Sequence, residues 1–238
     1  MTKKINTKFT KLIKYYSLIN HNLIYENEAI NRYKTNSNFA IEGSRGKELQ
    51  ELKQTISSIR NCELKKNSTN IVFSDGSPNS KIMIIGEGPG ANEDLEGVPF
   101  IGKTGELLDK MLLSIKLDRE NVYITNVVNY RPPENRNPTA DEIARYLPYL
   151  IKHIEIIDPK ILILLGSSAL NAVVGDEQKI SEVRGKWINK KIGKCNTSVI
   201  VSFHPAFLMR QPDQKAMSWI DLKMIRKKIS DLKIKIEK

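Results

Sequence analysis

Four short apolar runs limit what this chain can fold into: Lys81-Ile-Met-Ile-Ile85, Val122-Tyr-Ile-Thr125, Ile161-Leu-Ile-Leu-Leu165 and Ser198-Val-Ile-Val-Ser202. Each has the length, branched side chains and polar borders of a strand buried on both faces, which is the habit of parallel sheets. Segments with helical spacing separate them, roughly over residues 103–115, 139–157 and 167–174. A helical segment at 47–59 precedes the first strand, and an amphipathic one runs from about residue 215 to the end. Strand alternating with helix implies a sheet covered on both sides. The expected fold is therefore α/β, a three-layer α/β/α sandwich around a four-stranded parallel sheet. No internal repeat competes with that reading.

Open parallel sheets bind ligands beyond the carboxyl ends of their strands, where the loops converge. The first run leads into Gly86-Glu-Gly-Pro-Gly-Ala-Asn-Glu-Asp94, and the second into Asn126 and then Tyr130-Arg-Pro-Pro-Glu-Asn-Arg136. The third ends at Gly166-Ser-Ser and the fourth at Phe203-His-Pro-Ala-Phe-Leu-Met-Arg210. Singly, each is an ordinary turn, core histidine or surface arginine. Together they gather carboxylates, an amide, a histidine and arginines at one edge. The first loop partly fits a dinucleotide fingerprint, with Gly86, Gly88 and Ala91 at the required spacing. The acidic second strand of such a unit is missing, because Gly105-Glu-Leu-Leu-Asp-Lys-Met-Leu-Leu reads as helix. Glu87, Glu93 and Asp94 would also set negative charge against a pyrophosphate. Dinucleotide binding is thus the lesser reading, and no nucleotide cofactor is expected.

The net charge of +11 favours a polyanionic partner through counterion release, although Lys, Ile and Asn are abundant throughout the chain. Cys62 and Cys195 are too few and too far apart for a disulfide framework, so a reducing cytoplasm is expected. No run is apolar enough to span a bilayer. Residues from Phe9 to Tyr33 have helical spacing and carry no acidic group before Glu26, and 35–46 read as a linker. The expected organisation is a basic helical extension over 1–45 and one main domain over 46–238, as a monomer.

Gly86-Glu-Gly-Pro-Gly, Glu93-Asp94, Gly97-Val-Pro-Phe-Ile-Gly-Lys-Thr-Gly-Glu-Leu-Leu108, Thr125-Asn-Val-Val, Arg131-Pro-Pro-Glu-Asn-Arg136 and His204-Pro-Ala resemble the family-four, iron–sulfur type uracil-DNA glycosylases. The resemblance runs from about Cys62 to Arg210 and leaves residues 1–45 uncovered. It implies a DNA-repair enzyme that flips uracil out of DNA, hydrolyses its bond to deoxyribose and leaves an abasic site. It implies Phe100 as the ring on which uracil stacks, Asn126 as the amide that reads the base edge, and Gly88 and Asn135 as substrate neighbours. His204 would meet the charge that grows on O2. Glu87 and Glu93 are the candidates for orienting water or steadying the oxocarbenium-like sugar, with Glu93 alternatively a wall against the thymine methyl. Leu208 or Met209 would fill the gap left in the stack. Lys103, Thr104, Arg136 and Arg210 are candidates for holding DNA phosphates. No lysine emerges as a Schiff-base nucleophile, so no strand cleavage is expected.

The family's cluster needs four cysteines. At the four matching positions this chain has Ile59, Cys62, Tyr130 and Tyr146. One thiolate does not hold such a cluster, so no iron–sulfur cofactor and no metal are expected, with Cys62 a lone remnant. Tyr130, Tyr146 and Ile59 are expected to fill the vacated volume. The competing functional class is a catalytically inactive, glycosylase-like DNA-binding protein.

Overall fold

The computed structural model describes residues 43–175 and 178–236. The expected N-terminal helices, and the 1–45 extension apart from its last three residues, lie outside that range. In chain order the elements begin with helix α1 (Ser44–Ser57), a helical turn at Glu63–Lys66, and strands β1 (Asp75–Gly76) and β2 (Ile82–Gly86). Helices α2 (Ala91–Glu96) and α3 (Gly102–Ser114), strand β3 (Tyr123–Asn126) and helix α4 (Ala140–Ile157) follow. Then come β4 (Ile161–Leu165), α5 (Ser167–Val173), the hairpin β5 (Trp187–Ile192) and β6 (Cys195–Ser202), and helices α6 (Pro205–Arg210) and α7 (Lys215–Asp231).

The sheet order is β1-β3-β2-β4-β6-β5. Its centre is the expected parallel set, β3, β2, β4 and β6. Two antiparallel edge strands, β1 and β5, extend it to six. Every residue of β2 and β4 is buried, and alternate residues feed opposite layers because side chains in a strand alternate in direction. Met83 and Ile85 pack toward α1, α4 and α5. Ile82 and Ile84 pack toward α3 and α7. Helix α4 starts where Thr139 Oγ1 accepts the Glu142 N–H and Glu142 accepts the Thr139 N–H, a reciprocal cap. It ends at Asp158, which is left-handed with φ 48°.

Chain direction decides where ligand chemistry gathers. From β2 the chain moves to β3 on one side, then crosses to β4 on the other. The loops after β2 and β4 therefore diverge and leave a crevice at the strands' carboxyl ends. Among the described residues, no helix is long and apolar enough to cross a membrane.

Candidate active site

A cavity of about 510 Å³ occupies that crevice, lined by all four strand-end loops. Gly86, the last residue of β2, lies behind two of the lining residues, Phe100 and Asn126. A Cβ there would stand 2.4 Å from the Phe100 ring and 2.5 Å from Asn126 Oδ1. The ring and the amide thus converge over one backbone position that only glycine leaves open. Asn126 ends β3 directly beside Gly86 in the parallel ladder. The pairing continues past the strand through Val127 N–H to Gly86 O and Val128 N–H to Glu87 O, which fixes the start of the glycine loop.

Asn126 is 3% exposed, and its Oδ1 has no hydrogen-bond partner among the described residues. Buried polar atoms are almost always paired, so this acceptor is open to a donor from beyond the described residues. Phe100 is buried at φ 53°, a conformation that a bulky residue rarely adopts. The His204 ring centroid lies 5.5 Å from that of Phe100, tilted by 32°.

His204 caps α6: its Nδ1 accepts the Ala206 N–H at 3.1 Å. Burial, with the Arg210 charge second, pushes its imidazole down to about 4. The ring is therefore neutral at pH 7. With Nδ1 accepting, the proton sits on Nε2, which leaves a donor free. Gly166 gives His204 its room, since a Cβ there would press on the imidazole Cβ at 3.2 Å.

The two glutamates separate by environment. Glu87 lines the cavity and accepts a short hydrogen bond from Ser168 Oγ, across the β2/β4 crevice. Glu93 is buried, and its Oε2 accepts the Gly90 N–H at 3.1 Å, bracing the loop from within. Burial raises its carboxyl above the usual range. Gly88 lines the cavity and packs close to Val128, where a Cβ would stand at 2.8 Å. Asn135, left-handed at φ 56°, lies on the rim with Oδ1 accepting from Arg131 Nε at 2.8 Å.

Other expected positions fall differently. Leu208 is 1% exposed and packs in the α3/α7 layer, so it does not reach outward as a wedge; Met209 beside it is 42% exposed. A helix turns about 100° per residue, so neighbours in α6 face different ways. Arg136 is on the rim but held by Glu142 through two bonds of 2.8 and 2.7 Å. Arg210 is exposed at the cavity edge. Thr104, in the first turn of α3, lines the cavity, while Lys103 is exposed outside the lining.

Ser168 and Gly86 are site residues to which the sequence reading assigned no role. The Gly166-Ser-Ser turn carried the only signal for Ser168. The four positions that match cluster ligands are buried together in the α1/α4 layer. Cys62 Sγ lies 3.4 Å from Tyr146 Oη. This donor set of one thiol, two phenols and an aliphatic chain does not fit an iron–sulfur cluster. Among the described residues, no group of three or more His, Cys, Asp or Glu is placed to hold a metal ion.

The family model described as the uracil DNA glycosylase superfamily matches residues 73–227. The chain is 40% identical over 183 residues to the type-4 uracil-DNA glycosylase of Sulfurisphaera tokodaii, covering 75% of this chain and 83% of that protein. It is 38% identical over 181 residues to that of Archaeoglobus fulgidus, covering 74% and 91%. With that of Thermotoga maritima it shares 42% identity over 165 residues, covering 68% and 84%.

Proposed function

The chain belongs to the uracil DNA glycosylase superfamily, and from that premise we propose how its pocket removes uracil from DNA. It is a uracil-DNA glycosylase of the type-4 branch, a DNA-repair enzyme acting on uracil-containing DNA. The observation that carries the mechanism is the buried Asn126 Oδ1 beside the Phe100 ring, without a partner among the described residues.

Uracil laid on Phe100 turns its N3–H toward that oxygen and its O4 toward the Asn126 amide nitrogen. Cytosine carries an acceptor at N3 and an amino group at C4, so both contacts become repulsive. As the C1′–N1 bond breaks, its electron pair moves into the base and charge grows on O2. The neutral His204 donates from Nε2 to that oxygen, and removing one such preorganised donor costs about 10²–10³ in rate. Glu87, held by Ser168, orients the water that attacks C1′ and takes its proton. Glu93 braces the loop and closes the pocket wall. Met209 enters the stack, Arg210 and the first turn of α3 meet phosphates, and Arg136 joins them if DNA draws it from Glu142. With no lysine among the described residues that line the pocket, the product is an abasic site on an uncut strand.

We read the corner of Ile59, Cys62, Tyr130 and Tyr146 as filled by side chains, without iron. Its support is the donor set itself and the Cys62–Tyr146 contact. Two free, buried cysteines and a DNA substrate support a reducing cytoplasm as the compartment.

A duplex carrying one labelled uracil tests the mechanism. Wild type should release free uracil, and Asn126→Ala and His204→Ala should lose release while still binding duplex. Undiminished release by both variants would overturn these assignments. Stoichiometric iron with visible absorption in protein purified without oxygen would overturn the cluster-free reading.

A further inference from the structure

Phe100 is the residue whose conformation most needs explaining. It is buried, its φ is 53°, and its ring forms the pocket's flat wall. A large side chain holds a positive φ only where its surroundings over-determine it. Part of the cause is Gly105 in the first turn of α3. A Cβ there would lie 1.7 Å from the Phe100 carbonyl oxygen, so that carbonyl is pressed onto the helix.

The rest comes from Arg119, nineteen residues later, in a short turn (Arg119–Asn121) before β3. Its Nη2 donates to the Phe100 carbonyl, and its Nη1 donates to the Pro99 carbonyl at 3.2 Å. The same guanidinium is fixed from behind by two carboxylates. Nη1 meets Asp75 Oδ2 on edge strand β1 at 2.6 Å, and Nε meets Asp109 Oδ1 on α3 at 2.8 Å. The side chain is 17% exposed and does not line the cavity.

We propose that Arg119 is a positioning residue for uracil excision: by gripping the Pro99 and Phe100 carbonyls from the Asp75–Asp109 brace, it sets the ring on which the flipped base stacks. The planar fork of an arginine reaches two carbonyls and two carboxylates at once, and a lysine ammonium cannot. Edge strand β1 thereby acquires a role in the site, since it carries Asp75. The inference rests on the reading of Phe100 as the stacking surface. It differs from a plain staple role, in which Arg119 would stabilise the fold and leave excision by folded molecules unchanged.

The test is a double-mutant cycle on the full chain with Arg119→Gln, Phe100→Ala and the pair, each read three ways. The readings are single-turnover uracil release under saturating enzyme, inhibition by free uracil, and affinity for uracil-free duplex. Misplacing a reacting group by about 1 Å costs about 10²-fold, so Arg119→Gln should slow release by about that factor. Free uracil should bind more weakly in parallel, while duplex affinity stays at the wild-type value. The double variant should be little slower than Phe100→Ala alone, because both act through one ring. Arg119→Lys should restore thermal stability more than it restores rate.

If Phe100→Ala releases uracil at the wild-type rate, the stacking reading fails. If Phe100→Ala is slow but Arg119→Gln matches wild type, or if the two defects multiply, that reading stands and the role of Arg119 falls. Should Arg119→Gln not fold, Asp109→Asn loosens the brace while the Asp75 pair remains. It should slow release with unchanged duplex affinity, and an unchanged rate there would overturn the proposal equally.

Discussion

Two corners of this domain were built from comparable material and ended in opposite states. At the carboxyl ends of the strands, the pocket holds a buried acceptor without a donor, a phenylalanine at positive φ and a neutral histidine with a free N–H. In the α1/α4 layer, Ile59, Cys62, Tyr130 and Tyr146 are all buried, and the thiol and one phenol meet each other. The first corner leaves a buried acceptor open among the described residues. The second closes on itself. Unsatisfied groups cost stability, so they persist where something from outside completes them. A corner whose polar groups meet one another leaves none to be completed from outside.

The sharpest way to break this contrast is to empty the closed corner. Tyr146 is fully buried at 0% exposure. Tyr146→Ala should cost about 3–5 kcal/mol of stability, the range for truncating a large buried ring. Chemical denaturation measures this. Uracil release per folded molecule should not change. A rate that falls along with stability would mean that the two corners are coupled.

The open corner should respond in reverse. Asn126→Ala removes an acceptor that lacks a partner in the free protein, so the melting temperature should hold or rise. Single-turnover release should fall by about 10²–10³, the scale of losing one well-placed polar contact in a closed site. A large drop in melting temperature would show that the amide serves the fold, and the contrast would fail from that side.

What could be read from the sequence divides along the same line. The central strands were legible because burial on both faces demands unbroken apolar runs. The edge strands were not. β5 pairs on one side only, tolerates Asn189 and Lys191 exposed, and has no such run. Within the site, Gly86, Asn126 and His204 stood at strand ends, where chain direction alone brings them together. The surroundings of Leu208 and Arg136 were not legible because they depend on distant or exposed partners: the α3/α7 layer, which buries Leu208, and Glu142, which pairs with Arg136. Arg119 gave no local signal, since its meaning lies in two carbonyls and two carboxylates far away in the chain.

Each corner also holds one histidine, and acid separates them. His204 is pushed down to about 4 and His153 to about 3, both mainly by burial. His153 lies on α4 in the closed layer, 2.6 Å from Tyr123 Oη and stacked on Phe73. Folded, each stays neutral well below 6.5; unfolded, each takes a proton near that value. Unfolding thus takes up protons, and stability should decline as pH falls from about 6.5 toward 4 and then 3. His153→Gln should flatten part of that decline and leave uracil release intact. His204→Gln should flatten another part and slow release. If the two substitutions act alike on rate, the histidines do not divide between the corners.

Cys62 offers the smallest effect and the most direct reading of the closed corner. Among the described residues, its thiol has a phenol, Tyr146 Oη, as its polar partner at 3.4 Å. Cys62→Ser replaces a weak, polarisable contact with a smaller hydroxyl, and should cost about 1 kcal/mol, the scale of one net hydrogen bond. Uracil release should be unchanged, and so should the visible absorption spectrum. Were the thiolate instead an iron ligand, the same substitution would strip or loosen the metal and bleach that spectrum. A bleached variant would mean that the corner still receives its ligand, and that its closure does not describe the protein.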